Sequence, residues 1–427
     1  MSTDVSAVHT KALNLKRPFS IIGLLMLVAV PGVLLRFTGY AEDPLILAAI
    51  FGLAVLAAAF LLGAGAELAE IEISASLSLA LVALVAVLPE YAVDMVFAWK
   101  AADDPIYAHY AAANMTGGNR LLIGIGWSMV ILLFWWKQSR KPLRIDGGQL
   151  LELSFLLIAT VWAFTIYIQS LFRQGSLNIV DTVVLVGLFV AYLIVSARGK
   201  AKEGGHMVGP MAPLGGMTRR GRRLTIIGLL VVSAFAILAV AEPFAESLIE
   251  TGHHLGVDEF ILVQWVAPLA SEAPELLVAF MFAWRGMGNT AIGLLISSKV
   301  NQWTLLIGTL PIVYSINLGH IGELPLDGRQ ADEFLLTAAQ SLFAVLLLAS
   351  LRVSWRSGLV IFALFITQFF FTSEQGRIIF SVIYLALSIA VLLFMVQSRK
   401  GVWEMIKGVR HGFRFPEHIP DLHGPRS

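Results

Sequence analysis

Two carboxylates three residues apart, Glu272 and Glu275, lie in the middle of an apolar run, WVAPLASEAPELLVAFMFAWR, from Trp265 to Arg285. The run is long enough to cross a bilayer, and a carboxylate at mid-depth costs about 2.5–3.5 kcal/mol on insertion scales, so the pair needs a protein-lined or watery surrounding. A second pair, Glu90 and Asp94, occupies LPEYAVDMVFAWK, Leu88 to Lys100, which aligns without a gap on APELLVAFMFAWR, Ala273 to Arg285. Pro89 and Pro274 precede the aligned glutamates and lack an N–H, so the carbonyls of Val85 and Ala270 are expected to lose their helical partners where the rings open the backbone. Carboxylate and carbonyl oxygens are the ligands that hard cations such as Na+ and Ca2+ take. Broken helices at corresponding places in two halves of a chain point to a transporter's midplane site.

The elements that must position these acids are apolar helices. The chain has 427 residues, 57% hydrophobic and 14% charged, with a mean hydropathy of +0.79; a soluble domain is about a quarter charged. The chain therefore reads as an all-α polytopic membrane protein of about twelve transmembrane helices. A net charge of +1 argues against nucleic acid as a partner, and the absence of cysteine excludes disulfides and thiolate metal sites. Residues 1–43 hold a polar start and an extra first span, expected to stay uncleaved. Residues 44–197 carry five spans, 198–223 a basic linker ending in RRGRR, 224–372 five more, and 373–427 a last span and a basic tail.

Most of the 30 Lys and Arg fall on one side if the N-terminus is cytoplasmic, which places both termini inside, in a plasma (inner) membrane. The acidic turn Glu67 to Glu72 is the one loop that fits this arrangement poorly. The stretch from Leu88 then runs outward and its echo from Ala273 inward, so the repeats are inverted. Each is followed by small residues interleaved with amides: ANMTGGNRLLIGIG, Ala113 to Gly126, and GLLISSKVNQWTLLIG, Gly293 to Gly308. Gly117, Gly118, Ser297 and Ser298 suit close helix packing as well as they suit a site.

A Pro-Glu in one span, an amide and glycine run in the next, and an inverted second copy resemble the alpha repeats of the sodium/calcium exchanger superfamily of calcium:cation antiporters. GVDEFILVQWVAPLASEAPE, Gly256 to Glu275, is similar to the run that leads into that family's second Pro-Glu. The resemblance covers about Gly63 to Trp127 and Ala241 to Gly308. It implies two inverted five-helix repeats with an extra helix at each end, and alternating access to a cation site between the halves. It also implies that the essential metal-binding glutamates are Glu90 and Glu275, with Ser271, Asn114, Asn119 and Ser298 as further cation-binding residues; Gln302 falls where the next polar ligand would, and Asp94 and Glu272, on the same helix faces as the glutamates, complete the candidate cation-binding set. Lys299 stands where the family has a second asparagine, and Glu272 where it has a hydroxyl.

Asp94 shares a helix face with Glu90, as Glu272 does with Glu275. Like charges about 4 Å apart repel by roughly 4 kcal/mol at an effective dielectric near 20, so four ionised acids require compensating cations. Lys299 and Arg120, both within spans, are the candidates for built-in compensation.

Other motifs make weaker claims. Glu67, Glu70, Glu242 and Glu246 occupy corresponding ends of inverted spans and suit cation vestibules or plain solvation equally. His253 and His254 read as a solvated loop pair, and Lys400 to Phe415 reads as an amphipathic helix on the inner leaflet. The expected function is secondary cation antiport, Ca2+ or another cation against Na+ or H+, with a Na+/H+-type monovalent antiporter as the alternative. An intramembrane carboxylate enzyme is disfavoured by the inverted duplication and by the lack of GxGD-like and HExxH runs. No Walker A loop for ATP is present. Inorganic cations and the lipid bilayer are thus the expected partners, with no cofactor beyond the transported Ca2+, Na+ or H+.

Overall fold

The computed structural model describes residues 15–38, 43–69, 71–72, 88–138, 140–198, 209–412 and 414–415. Helices fill the expected apolar segments in order. They are α1 (Lys16–Thr38), α2 (Pro44–Ala69), α3 (Leu88–Lys100), α4 (Ile106–Leu121) running into α5 (Ser128–Lys137), α6 (Leu150–Ser170) and α7 (Ile179–Arg198). The second half repeats the order with α8 (Arg219–Leu255), α9 (Glu259–Trp284), α10 (Gly288–Asn301) running into α11 (Ile307–Leu318), α12 (Gly328–Leu348) and α13 (Trp355–Gln368). Helices α14 (Glu374–Phe394) and α15 (Val396–Arg410) close the chain. Among the described residues nine helices are long and apolar enough to cross a membrane. The remaining segments are α3, which follows the undescribed residues 73–87, the interrupted pair α10–α11, and α13, which has 14 residues.

Local chemistry sets the boundaries. Asp258 caps α9 by accepting from the Phe260 N–H, and a reciprocal box between Asp327 and Gln330 opens α12. Helix α8 ends on Gly256 at φ 64°, a left-handed conformation that glycine adopts without steric cost.

Inversion of the halves shows in two short antiparallel ladders. β1 (Leu143–Arg144), after α5, pairs with β4 (Arg352–Val353), after α12. β3 (Leu324–Leu326), after α11, pairs with β2 (Gly175–Leu177), after α6. Exchanging the two halves maps one ladder onto the other, as a two-fold axis between them requires.

Helices α2 and α8, the first of each repeat, pack along each other more extensively than any other pair. Glu72, just past α2, accepts from Arg222 Nε and Arg223 Nε at 2.7 Å each. These guanidiniums hold its carboxyl down at about 2. The acidic turn that fits a basic side poorly is therefore the partner of the RRGRR motif.

One expectation is corrected. Helix α9 stays helical through both Pro268 and Pro274, so the prolines remove hydrogen bonds without interrupting the helix; neighbouring helices commonly absorb such a loss within membranes. The equivalent turn before Pro89, including Val85, lies outside the described residues. One face of the tail helix α15 packs on protein. Its buried residues are Ser398, Gly401, Met405 and Gly408, and a Cβ at Gly401 would stand 1.8 Å from the Ala349 carbonyl oxygen. Small residues at helical spacing permit that approach.

Candidate cation site

The interruptions fall one helix later than the prolines. The α4–α5 segment passes through a π turn at Leu122–Trp127, and α10–α11 through another at Gln302–Leu306. The turns start at equivalent positions, three residues after Asn119 and Lys299, and each is back-bonded by a hydroxyl: Ser128 Oγ donates to the Gly124 carbonyl and Thr304 Oγ1 to the Val300 carbonyl, both at 2.5 Å. Single π turns inside α-helices are frequent at functional sites because they rotate the following side chains by one extra residue.

Gln302 opens the second π turn, and its Nε2 donates to Glu90 Oε2 at 2.6 Å and to Glu272 Oε1 at 3.2 Å. One amide nitrogen thus joins carboxylates from opposite repeats. Asn114 Nδ2 donates to Asp94 Oδ1 at 2.9 Å, and Ser298 Oγ to Glu275 Oε2 at 2.5 Å. Glu90, Asp94, Asn114, Glu272 and Gln302 are buried, and Glu275 is half-buried.

Asp94 Oδ2, Asn114 Oδ1, Glu272 Oε2, Glu275 Oε1 and Gln302 Oε1 are buried with no hydrogen-bond donor. Buried acceptors of this kind are normally paired, and the exceptions call for an explanation. Oxygens from carboxylates and amides are suitable ligands for a hard cation. In this conformation no three His, Asp or Glu among the described residues converge closely enough to hold one ion. The acids are instead held apart on Gln302, Asn114 and Ser298.

The remaining residues singled out in the sequence have distinct placements. Ser271 Oγ donates back to the Ala267 and Pro268 carbonyls of its own helix at 3.2 Å. Asn119 Nδ2 donates to the Met115 carbonyl, while its Oδ1 and carbonyl oxygen accept from Lys299 Nζ at 2.8 and 3.1 Å. Lys299 is fully buried, lies 4.7 Å from the centre of the Trp303 ring, and has no carboxylate within ion-pair distance among the described residues. Gly117 and Gly118 do pack: a Cβ on Gly117 would stand 1.9 Å from the Gln264 carbonyl oxygen, and one on Gly118 2.5 Å from Glu272 Oε1. These glycines bring α4 against α9 directly beside the carboxylates.

Arg120 belongs to a separate network. It pairs with Glu333 at 2.5 Å and stacks 4.9 Å from the Trp265 ring, while Arg377 of α14 approaches Glu333 at 3.9 Å and Asp332 at 3.7 Å. The compensating partner of Arg120 is therefore Glu333, a residue that sequence reasoning passed over; GRQADEFLL, with two acids inside an otherwise apolar helix, is the signal that marks it. Arg120→Met, which leaves buried Glu333 with only the more distant Arg377 at 3.9 Å, is expected to destabilise the protein by about 3 kcal/mol, and Arg120→Met with Glu333→Met to recover most of that loss. Thermal unfolding in detergent measures both.

The vestibule candidates are paired as well. Glu242 binds Arg36 at 2.7 Å and Lys100 at 3.2 Å, and Glu246 binds Lys100; Glu70 lies outside the described residues. His253 faces Glu259 at 2.9 Å and His254 faces Asp43 at 3.9 Å, both largely exposed.

A family model described as sodium/calcium exchanger protein matches residues 43–198 and 225–374. Among solved structures the chain is similar to the H+/Ca2+ exchanger CAX, with 43% identity and a TM-score of 0.86 over 93% of this chain and 98% of that one. It also resembles native YfkE, with 14% identity and a TM-score of 0.59 over 86% of this chain and 99% of that one. A selenium-substituted Ca2+/H+ antiporter protein YfkE gives 16% identity and a TM-score of 0.57, covering 85% and 99%. At those two lower identities the likeness is one of fold alone. A search of curated proteins gives no match.

Proposed function

The chain belongs to the sodium/calcium exchanger family, a family of cation antiporters, and we propose that it exchanges Ca2+ for H+ at a site between its two repeats. The observation that carries this reading is the Gln302 amide shared by Glu90 and Glu272, surrounded by buried oxygens without donors. Ca2+ takes six to eight oxygens at about 2.3–2.6 Å, and a small inward shift of carboxylates already held on one amide would supply several of them.

Charge balance favours protons as the counter-ion. When a divalent cation leaves these four acids, three of them buried, their repulsion must be relieved, and Lys299 alone offers too little charge. A proton on a carboxylate turns an unpartnered acceptor into a donor, and the unpartnered amide oxygens of Asn114 and Gln302 are acceptors. The site can thus be satisfied either by a cation or by protons. Exchange between two such states, each open to one side, is antiport by alternating access.

The likeness to the H+/Ca2+ exchanger CAX supports the same choice of ions. Membership in an exchanger family argues against the intramembrane-enzyme reading. The basic residues argue for cytoplasmic termini in a plasma (inner) membrane. Reconstituted vesicles test the proposal: an imposed pH gradient is expected to drive Ca2+ uptake, and an equal Na+ gradient to drive little. Uptake driven by Na+ alone overturns the choice of proton, and Na+/H+ exchange without Ca2+ flux establishes the monovalent alternative.

A further inference from the structure

A second built site lies where α5, the β1–β4 ladder, α13 and α15 meet, well separated in sequence from the carboxylates. A cavity of about 340 Å³ there is lined by Trp135, Arg140, Arg352, Ser354, Trp355 and Gln397. Its backbone carries unusual strain. Arg140 at φ 65° and Leu351 at φ 53° are the only non-glycine residues with positive φ among the described residues, and both are bulky side chains that pay for that conformation. Its charges are equally unfavourable. The ladder register sets Arg144 directly opposite Arg352, and like charges facing each other across an antiparallel pair destabilise it. No carboxylate among the described residues pairs with Arg140, Arg144, Arg352 or Arg356.

Strain and repulsion gathered in one place suit the binding of an anion. The walls fit one that belongs to the membrane surface. Trp135 and Trp355 stack at 5.2 Å, with Arg140 over the first ring and Arg356 over the second, each 5.9 Å from the centre. Tryptophan and arginine together mark the headgroup level of a bilayer. Ser354 caps α13 by accepting from the Ser357 N–H, so the N-terminal end of a 14-residue helix opens at the same rim, where backbone dipoles favour negative charge.

An apolar track leads away from the rim. Leu359, one turn beyond Trp355 on the same face, is 45% exposed, and Phe394 and Val396, next to Gln397, are 81% and 52% exposed. A free anion needs no such track, whereas acyl chains do.

We propose that this cavity binds the phosphate of an anionic phospholipid, whose chains lie along Leu359 and Phe394 and whose charge holds the Arg144–Arg352 ladder, and with it the two repeats, together. The ladder joins β1 of the first half to β4 of the second, so the lipid bridges both.

Native mass spectrometry and thermal unfolding of the full-length protein in detergent test this, with phosphatidylglycerol, phosphatidylcholine and inorganic phosphate as probes. The intact chain is expected to retain phosphatidylglycerol in preference to phosphatidylcholine and to melt at a higher temperature with it. Arg140→Gln and Arg352→Gln are each expected to weaken retention about fivefold, the effect of one basic residue at an anionic surface, and the double substitution to remove the preference. Both side chains are exposed, and a single symmetric peak on gel filtration confirms that the variants are folded. Equal retention of phosphatidylcholine, or an unchanged preference in the folded double variant, overturns the proposal. A melting shift of the same size with inorganic phosphate alone overturns the assignment to lipid and leaves a free-phosphate site.

Discussion

Glu90→Gln abolishes Ca2+ flux in reconstituted vesicles while leaving the protein folded: that is the expected result with the largest effect. Glu90 Oε2 accepts from Gln302 Nε2, and a glutamine at position 90 keeps an oxygen able to accept that bond at nearly unchanged volume. Only the charge is lost. One unit charge about 4 Å from a monovalent ion is worth roughly 4 kcal/mol at an effective dielectric near 20, about a thousandfold in affinity, and more for a divalent ion. The substitution also removes a group that can take up a proton when the cation leaves, so both halves of the exchange fail together. Flux under a pH gradient measures the loss, and gel filtration with thermal melting shows the fold retained. A Glu90→Gln protein that transports at full rate would remove Glu90 from the site.

The acids themselves were legible because cost made them so: a carboxylate in the middle of an apolar span must have a use or a partner, and the gapless echo between Leu88–Lys100 and Ala273–Arg285 exposed the duplication. Helix positions were equally plain, since hydropathy alone places α1, α2, α6 and α7 to within a few residues. What the sequence concealed was geometry that depends on the partner half. Proline marked where a helix loses hydrogen bonds, yet α9 remains continuous and the real departures are π turns at Leu122 and Gln302, in segments with no backbone signal beyond small residues and hydroxyls. The two-residue ladder of Leu143–Arg144 with Arg352–Val353 is too short to show a period of two. Arg120 was a candidate for compensating the Pro-Glu acids because it is a basic residue within a span, next to Asn119. On a helix, adjacent residues point about 100° apart, and Arg120 turns instead to Glu333.

Lys299 yields the second large effect, a change in which ions drive transport. Its ammonium is fully buried and donates to the Asn119 side chain and carbonyl, joining α10 of one repeat to α4 of the other one turn before Gln302. No carboxylate among the described residues neutralises it at contact distance, so in its protonated form its charge acts on the site as a field. Lys299→Asn replaces that charge with an amide oxygen at a position facing Asn119, which both removes the field and offers a ligand for a monovalent cation. A Na+ gradient that moves little Ca2+ in the parent protein is expected to move at least about tenfold more in this variant, since about 1.4 kcal/mol of altered cation binding suffices for that factor. Lys299→Met separates the two contributions. It keeps much of the stem volume and removes the charge without adding an oxygen, so it should alter the pH dependence of flux without creating Na+ dependence, at a stability cost of about 1–3 kcal/mol for the unsatisfied Asn119 oxygens. Both variants are measured under the same set of gradients, with protein level matched by blot. If Lys299→Asn transports at the parent rate with the parent ion profile, the ammonium serves only to fasten α10 to α4, and the idea of a resident cation is wrong.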